Sequence, residues 1–103
     1  STVSAFDNNP FQAVERDFAF LLPKPIKAND IVNKIKKIDK KIINKVSIFD
    51  VYEGEKINKE LKSIAIRVLL QPLEKTFSDE EIEGISSQIV DTVTTSFSAT
   101  LRI

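Results

Sequence analysis

Residues 62–71, KSIAIRVLLQ, alternate between large aliphatic side chains and side chains that are mostly small or polar. One side of the segment carries Ile64, Ile66, Val68 and Leu70, and the other carries Ser63, Ala65, Arg67 and Leu69. A period of two residues is typical of a β-strand with one buried face. Pro72 ends the pattern, because proline cannot donate a ladder hydrogen bond. The segment therefore predicts a strand in a sheet that is covered on one face only.

Residues 17–22, DFAFLL, follow the same period and place Phe18, Phe20 and Leu22 on one side. The prolines at positions 23 and 25 predict that this strand ends there. Residues 98–103 predict a final short strand. Its inward-facing side chains are expected to be Ala99, Leu101 and Ile103.

Residues 46–53, VSIFDVYE, are rich in the β-branched and aromatic residues of strands, yet they contain an aspartate. Aspartate is depleted in strands and is costly to bury without a partner. Simple alternation predicts that Phe49 and Val51 face the core and that Asp50 and Tyr52 face the other side. Asp50 is therefore expected on an uncovered face of the sheet.

Two segments follow the helical period instead. In residues 29–39, isoleucines recur with lysines between them, Asn29 is expected to cap the first turn, and the helix is predicted to end near residues 39–40. A second helix is predicted from Ser78, because Ser78 and Glu81 have the spacing of a capping box. The predicted apolar stripes are Ile31, Ile35, Ile38 and Ile42 on the first helix, and Ile82, Ile85, Ile89, Val93 and Phe97 on the second.

The elements follow in the order β-α-β-β-α-β, which predicts an α+β, ferredoxin-like fold: a four-stranded antiparallel sheet with two helices on one face. Residues 16–103 are expected to form this single domain after a polar lead-in, residues 1–15. The absence of methionine indicates that the chain is part of a longer polypeptide. The sheet face opposite the helices is left uncovered, and we call it the open face. Its side chains are predicted to include Ala19, Asp50, Tyr52, Ser63, Ala65 and Arg67.

The composition disfavours catalysis. The 103 residues include no histidine and no cysteine, which removes the most common general base, the thiolate nucleophile and the usual transition-metal ligands. With two glycines, the chain has no glycine-rich phosphate loop. We therefore expect no catalytic residue, metal site or cofactor in this chain, and binding is the favoured class of function.

The net charge is zero, but the charges are unevenly spread. Residues 24–45 contain eight lysines and two aspartates, whereas residues 74–91 contain six acidic residues and one lysine. A net-neutral domain is poorly suited to general polyanion binding, so most of these lysines are interpreted as a solvated helix face. No apolar run reaches the length of a membrane span, and a cytoplasmic location is the default expectation.

The residue patterns alone leave two interpretations of the open face. Unstacked RNA bases could bind there, with Tyr52 stacking and with Asp50 and Ser63 forming hydrogen bonds to base edges. Alternatively, the face is a solvated surface on which Arg67 forms a weak ion pair with Asp50. The generic RNA-recognition motif has this topology but is disfavoured, because its central strands carry aromatic residues where this chain has alanine or arginine.

Four segments resemble a known family in their order and spacing. They are AVERDFAF (13–20), SIFDVYEGEKI (47–57), KSIAIRVLLQ (62–71) and EKTFSDEEIEG (74–84). In this combination, the chain resembles the ferredoxin-fold anticodon-binding domain at the C-terminus of the phenylalanyl-tRNA synthetase β subunit, over residues 11–102. One departure is Glu60-Leu61, where many members have Gly-Lys.

The resemblance implies that the open face binds the anticodon loop of phenylalanine tRNA. Matched residue by residue, the family's contacts fall on Ala19, Asp50, Tyr52 and Ser63. Supporting or phosphate contacts are expected from Arg16, Lys62 and Arg67.

The resemblance also implies a parent enzyme, a phenylalanine–tRNA ligase that uses ATP and magnesium and has its catalytic site on the α subunit. The expected partners are phenylalanine tRNA, the remainder of the β chain and the α subunit, in an α2β2 assembly if the source is bacterial; neither DNA nor a membrane is expected. The location would be the cytoplasm, or the mitochondrial matrix for the single-chain organellar form. Two alternatives are a ferredoxin-like regulatory or dimerisation domain, whose open face takes a small ligand or a protein, and a structural subunit without a ligand.

Overall fold

A computed structural model describes residues 10–102, so the first nine residues of the predicted lead-in and the predicted inward-facing Ile103 lie outside the described residues. The elements are β1 (Val14–Pro23), α1 (Ala28–Lys36), β2 (Ile43–Tyr52), β3 (Leu61–Leu70), α2 (Asp79–Phe97) and β4 (Thr100–Arg102). The strands form one sheet in the order β2-β3-β1-β4, and all neighbouring strands are antiparallel. The predicted ferredoxin-like fold is confirmed. β1 begins at Val14, before the predicted domain start at residue 16.

The core lies between the helices and one face of the sheet. All four aliphatic side chains on the predicted apolar side of β3 are fully buried. The fully buried apolar side chains of the other elements include Phe20, Leu22, Ile31, Ile35, Ile89 and Val93. Each of these belongs to an apolar side predicted from the period of its segment. The periods therefore identified the buried faces of β1, β3 and both helices. Ile38 and Ile42, which were predicted to continue the stripe of the first helix, lie beyond the end of α1 and are only partly buried against the core.

Helix α1 differs from its prediction at both ends. Its N-cap is Lys27, which has an extended backbone and no side-chain cap hydrogen bond. Asn29 lies inside the first turn, so its predicted role as the cap is wrong. At the other end, the Asp39 carboxylate accepts hydrogen bonds from the backbone N–H groups of Lys41 and Ile42, at 3.0 and 3.2 Å. Such a local turn competes with helix continuation, so the helix ends before Asp39.

Helix α2 begins with the predicted capping box. The Ser78 hydroxyl accepts a hydrogen bond from the Glu81 backbone N–H at 3.1 Å, and the Glu81 carboxylate accepts one from the Ser78 backbone N–H at 2.9 Å. The bond from the Ser78 backbone lowers the pKa of Glu81. The helix ends at Ser98, whose left-handed backbone (φ 53°) turns the chain towards the sheet. Neither helix in the described part of the chain is long and apolar enough to cross a membrane.

Strand β2 contains a bulge that the sequence prediction missed. Ile48 pairs with Ile66, but the next paired residue of β2 is Asp50, opposite Ala65. An extra residue in one strand shifts the alternation of every side chain beyond it. Because Ile48 is on the helix-facing side, Phe49 falls on the open face, where it is 50% exposed rather than buried in the core, and the bulge keeps Asp50 on the same face. The predicted inward placement of Phe49 is wrong.

Val51, the second predicted core residue of β2, is on the predicted side of the sheet but is not buried. It pairs with the buried Ile64 and thus belongs to the helix-facing side of the sheet. It is nevertheless 51% exposed, because it lies near the end of an edge strand that the helices leave uncovered.

The last strand is shorter than predicted. Ala99 is buried, as expected, but it precedes β4. Leu101 pairs with the buried Phe20 and so is on the predicted helix-facing side, but it is 41% exposed rather than buried. It lines an open groove of about 450 Å³ beside α2, because β4 is an edge strand of three residues.

Candidate functional site

Small residues lie at the centre of the open face. Ala65 of β3 pairs with Ala19 of β1 on one side and with Asp50 of β2 on the other. Ile64 and Ile66, the chain neighbours of Ala65, are fully buried, so this register places all three paired residues on the open face. Asp50 is exposed, and no large side chain pairs with it across the strands. A flat ligand can therefore approach the Asp50 carboxylate above two alanines.

The neighbouring row of the open face consists of Tyr52, Ser63 and Leu21. Ser63 is 7% exposed, so little of this predicted contact residue can be reached from outside. Tyr52 is half-buried, and its ring lies against the turn at Gly54: a Cβ atom on Gly54 would be 2.7 Å from Tyr52 Cζ. The lack of a side chain at Gly54 lets the ring approach the backbone closely. The spacing of tyrosine and glycine in FDVYEG thus has a steric reason.

Arg67 binds Asp17 rather than Asp50. Its Nε donates to Asp17 Oδ1 at 2.8 Å, and its Nη2 donates to Asp17 Oδ2 at 2.9 Å. The hydrogen bonds from the guanidinium lower the pKa of Asp17, and the carboxylate raises the pKa of Arg67. The predicted Asp50–Arg67 pair is wrong, because Asp17 is the cross-strand partner of Arg67, whereas Asp50 lies opposite Ala65. Within residues 10–102, Asp50 forms no salt bridge.

Phe49 shares this part of the open face. The Arg67 guanidinium carbon lies 4.6 Å from the centroid of the Phe49 ring, which is a cation–π contact. Sequence reasoning missed Phe49 because it assumed one uninterrupted alternation. A signal was nevertheless present: Val46 and Ile48 have the opposite phase to Phe49 and Val51. A change of phase within one strand indicates a bulge.

A family profile for the ferredoxin-fold anticodon binding domain matches residues 9–102. The chain belongs to this family.

Relatives of known name agree with this membership. The chain is 50% identical over 92 residues to the phenylalanine–tRNA ligase beta subunit of Bradyrhizobium diazoefficiens. The matched segment covers 89% of this chain and 12% of the relative. It is 45% identical over 98 residues to the subunit of that name from Rhodopseudomonas palustris, covering 95% of this chain and 12% of the relative. It is 53% identical over 79 residues to the subunit of that name from Zymomonas mobilis. That match covers 77% of this chain and 10% of the relative. The chain thus spans about a tenth of the length of these relatives.

The three predicted supporting residues of this anticodon-binding family member do not share one face. Arg67 lies on the open face, paired with Asp17. Arg16 pairs with the buried Val68, and Lys62 pairs with the buried Leu22, so both belong to the helix-facing side of the sheet. The Arg16 guanidinium donates to the carbonyl oxygen of the preceding residue at 2.8 Å. Only Arg67 is therefore positioned beside the predicted base contacts.

The departure at Glu60-Leu61 has a structural role. The Glu60 carbonyl accepts a hydrogen bond from the Lys24 backbone N–H at 3.0 Å, and the Glu60 N–H donates to the Asn58 side chain at 2.8 Å. Leu61 pairs with Pro23 as the first residue of β3. These bonds attach the loop before Ser63 to the end of β1.

The open face carries a net negative charge at Asp50. Asp17 and Arg67 neutralise each other, and Lys45 and Glu15, which are also opposite in charge, lie nearby around a pocket of about 270 Å³. The lysines of α1 are elsewhere: Lys36, Lys37 and Lys40 line a separate cavity of about 520 Å³ at the end of that helix. The open face is therefore better suited to contact bases than phosphates. Within the described range, no group of three or more acidic, histidine or cysteine residues could hold a metal ion.

Proposed function

We propose that this chain binds the anticodon loop of phenylalanine tRNA through its open face. The observation that carries the proposal is the register that places Ala19, Asp50 and Tyr52 on the side of the sheet that the helices leave uncovered. Membership of the anticodon-binding family supports the same ligand. Loops of single-stranded RNA expose base edges and faces that such a surface can contact.

Each proposed contact residue has a distinct task. The Asp50 carboxylate accepts hydrogen bonds from the amino or imino groups of a base, and Tyr52 offers an aromatic face. Ala19 allows a base to approach the sheet closely, because its side chain is a single methyl group. Ser63 contributes at most the exposed edge of its hydroxyl, since it is 7% exposed. Arg67 supports the site through its neighbours, while Arg16 and Lys62 reach a phosphate only beyond the edges of the open face.

The chain acts as part of a larger enzyme in this proposal. Its relatives are named phenylalanine–tRNA ligase beta subunits, and the chain spans about a tenth of them. The ATP- and magnesium-dependent joining of phenylalanine to tRNA then belongs to the remainder of the assembly, proposed as α2β2 in the cytoplasm. The contribution of this chain is to hold the anticodon loop and so to orient the tRNA.

The proposal can be tested by NMR titration of the chain with an RNA hairpin that carries the phenylalanine anticodon loop. Amide shifts of Ala19, Asp50 and Tyr52 should move with this hairpin and not with one of scrambled loop sequence. Asp50→Ala should weaken binding. Asp91→Ala removes an exposed carboxylate from α2, on the other side of the sheet, and should leave the affinity unchanged.

Equal affinities for the Asp50→Ala variant and the unchanged chain would overturn the assignment of the open face. If shifts appear with rising protein concentration in the absence of RNA, the face is a contact between two copies of the chain. Salt provides a further check, since phosphate contacts weaken as salt rises. Because the open face has no excess of positive charge, we expect a shallow salt dependence.

A further inference from the structure

We infer that Phe49 is a second stacking platform, which holds an unpaired RNA base distinct from the base at Tyr52. The inference rests on the proposed function and extends it to a residue that the family resemblance did not assign. Three observations carry it: the exposure of the ring, the stacked guanidinium behind it and the local charge.

The bulge in β2 places Phe49 and Asp50 side by side on the open face. Ile48 pairs with the buried Ile66, so Phe49 follows it onto the opposite side of the strand. The extra residue keeps Asp50 on that side too. The Phe49 ring is 50% exposed. One face of the ring is covered by Arg67 at 4.6 Å, and the exposed half of the side chain leaves the other face for a ligand.

The pair behind the ring makes it a rigid platform. Arg67 could move away from Phe49 if its guanidinium were free, but two hydrogen bonds of 2.8 and 2.9 Å hold it to Asp17. A bidentate arginine–carboxylate pair fixes both the position and the plane of the guanidinium. Phe49, Arg67 and Asp17 thus form a stack of a ring, a planar cation and the carboxylate that anchors it.

The local charge favours a base over a phosphate. The donors of Arg67 that face Asp17 are already used, and the nearest unpaired charge along the strand is the Asp50 carboxylate. A negative group repels a phosphate but accepts hydrogen bonds from the amino and imino groups of a base. A base stacked on Phe49 would therefore have a hydrogen-bond acceptor next to its edge.

The two rings have different surroundings, so they are assigned to different bases. The Tyr52 ring lies against the turn at Gly54, beyond the end of β2, whereas the Phe49 ring lies against Arg67 of β3. Asp50 lies between the two platforms along β2.

The absence of tryptophan from the chain allows a direct test. Phe49→Trp preserves the aromatic face and introduces a single tryptophan, which can be excited selectively in the presence of Tyr52, at the proposed platform. Val51→Trp is the matched control, because Val51 is equally exposed on the same strand but belongs to the helix-facing side. Titration with the anticodon hairpin should quench the fluorescence of Phe49→Trp and leave that of Val51→Trp unchanged.

A second measurement uses affinity. Phe49→Ala should weaken binding of the hairpin by about 5- to 150-fold, the range expected for the loss of one base–aromatic stack. Val51→Ala should bind like the unchanged chain. Thermal melts of both variants, monitored by circular dichroism, should shift only slightly from that of the unchanged chain, since both side chains are half exposed.

The failure of this inference differs from the failure of the proposed function. If the hairpin binds and Asp50→Ala weakens it, but Phe49→Trp is not quenched and Phe49→Ala binds normally, the platform is refuted and the proposed function stands. If the unchanged chain does not bind the hairpin, both are refuted. If Phe49→Trp fluorescence changes with protein concentration alone, the ring packs against a second copy, and the base platform is refuted.

Discussion

Strands β3 and β2 are neighbours with similar apolar content, but their apolar side chains differ in burial. On β3, every aliphatic side chain from Ile64 to Leu70 on the helix-facing side is fully buried. In the second half of β2, Phe49 and Val51 are each about half exposed. The first strand lies in the interior of the sheet, paired on both sides, whereas the second lies at an edge and contains a bulge.

This difference in burial suggests different roles for the two strands, with β3 stabilising the fold and the second half of β2 available for binding. Burial of a large aliphatic side chain contributes about 1.5–3 kcal/mol, so β3 holds the fold together. The second half of β2 contributes less to the core, and its side chains are free to contact a ligand. Bulges bend a strand and change the direction of its side chains. Here the bulge leaves two successive residues, Phe49 and Asp50, on the open face, so an aromatic ring lies next to a carboxylate.

The largest expected effect is on β3. Ile66→Ala should lower the free energy of unfolding by about 2–5 kcal/mol, because it leaves a cavity at a fully buried site. Val51→Ala, the comparison on β2, should cost less than about 1 kcal/mol. Urea denaturation of both variants measures the contrast. Similar losses for the two variants would mean that the contrast between the strands is absent in solution.

Tyr52→Ala should separate binding from folding. We expect a loss of about 1–3 kcal/mol in the binding free energy for the anticodon hairpin, as for removal of a stacked base contact. The stability should change much less than in Ile66→Ala, because Tyr52 lies at the end of an edge strand. Isothermal calorimetry and a thermal melt of the same variant give both numbers. A large loss of stability with normal binding would show that Tyr52 serves the fold and not the binding of RNA.

Gly54→Ala should perturb the position of the Tyr52 ring. A Cβ there meets the far end of the tyrosine side chain, which can swing away, so binding should weaken less than in Tyr52→Ala. Gly84→Ala is the matched control: Gly84 is in α2 with nothing within 4 Å of an added Cβ. That variant should be more stable by about 0.5–1 kcal/mol and should bind normally. Unchanged chemical shifts of the Tyr52 ring in Gly54→Ala would argue against the close contact.

The smallest effect is expected from the surface pair behind Phe49. The pKa of Asp17 is lowered in the folded chain, so the pair contributes fully above the ordinary aspartate pKa. Its contribution is lost as the pH falls through the lowered folded value. Asp17→Asn should therefore melt slightly below the unchanged chain at neutral pH, and the gap should close in acid. A gap that persists at the lowest pH would exclude this pair as its cause.

Most of the fold could be predicted from local patterns. The alternation in 62–71, the helical stripes and the capping box at Ser78 each depend on neighbours in the chain, and each was confirmed. The cap at Asn29 was wrong because a local turn earlier in the chain starts α1 at Ala28. The bounds of α1 and β4 were likewise set by local hydrogen bonds and strand pairing that period alone does not specify.

The candidate site was predicted only in part. The exposure of Asp50 followed from the cost of burying a carboxylate, which is a property of the residue itself. The burial of Ser63 depends on strands that are distant in the chain, and so does the pairing of Arg67 with Asp17, fifty residues away. The strand register decides which carboxylate pairs with which cation, and the sequence pattern does not predict the register to within one residue.

The amino-acid sequence by itself determined the class of fold, its single buried sheet face and the family to which the chain belongs. These follow from the period of apolar residues and from motifs in which all the residues are close together. The tertiary structure alone decided that Phe49 lies on the open face beside Asp50 and that Arg67 stacks on it with Asp17 as its anchor. The physical reason is that a single bulge reverses the two faces of a strand, and its position is settled by cross-strand pairing rather than by local preference.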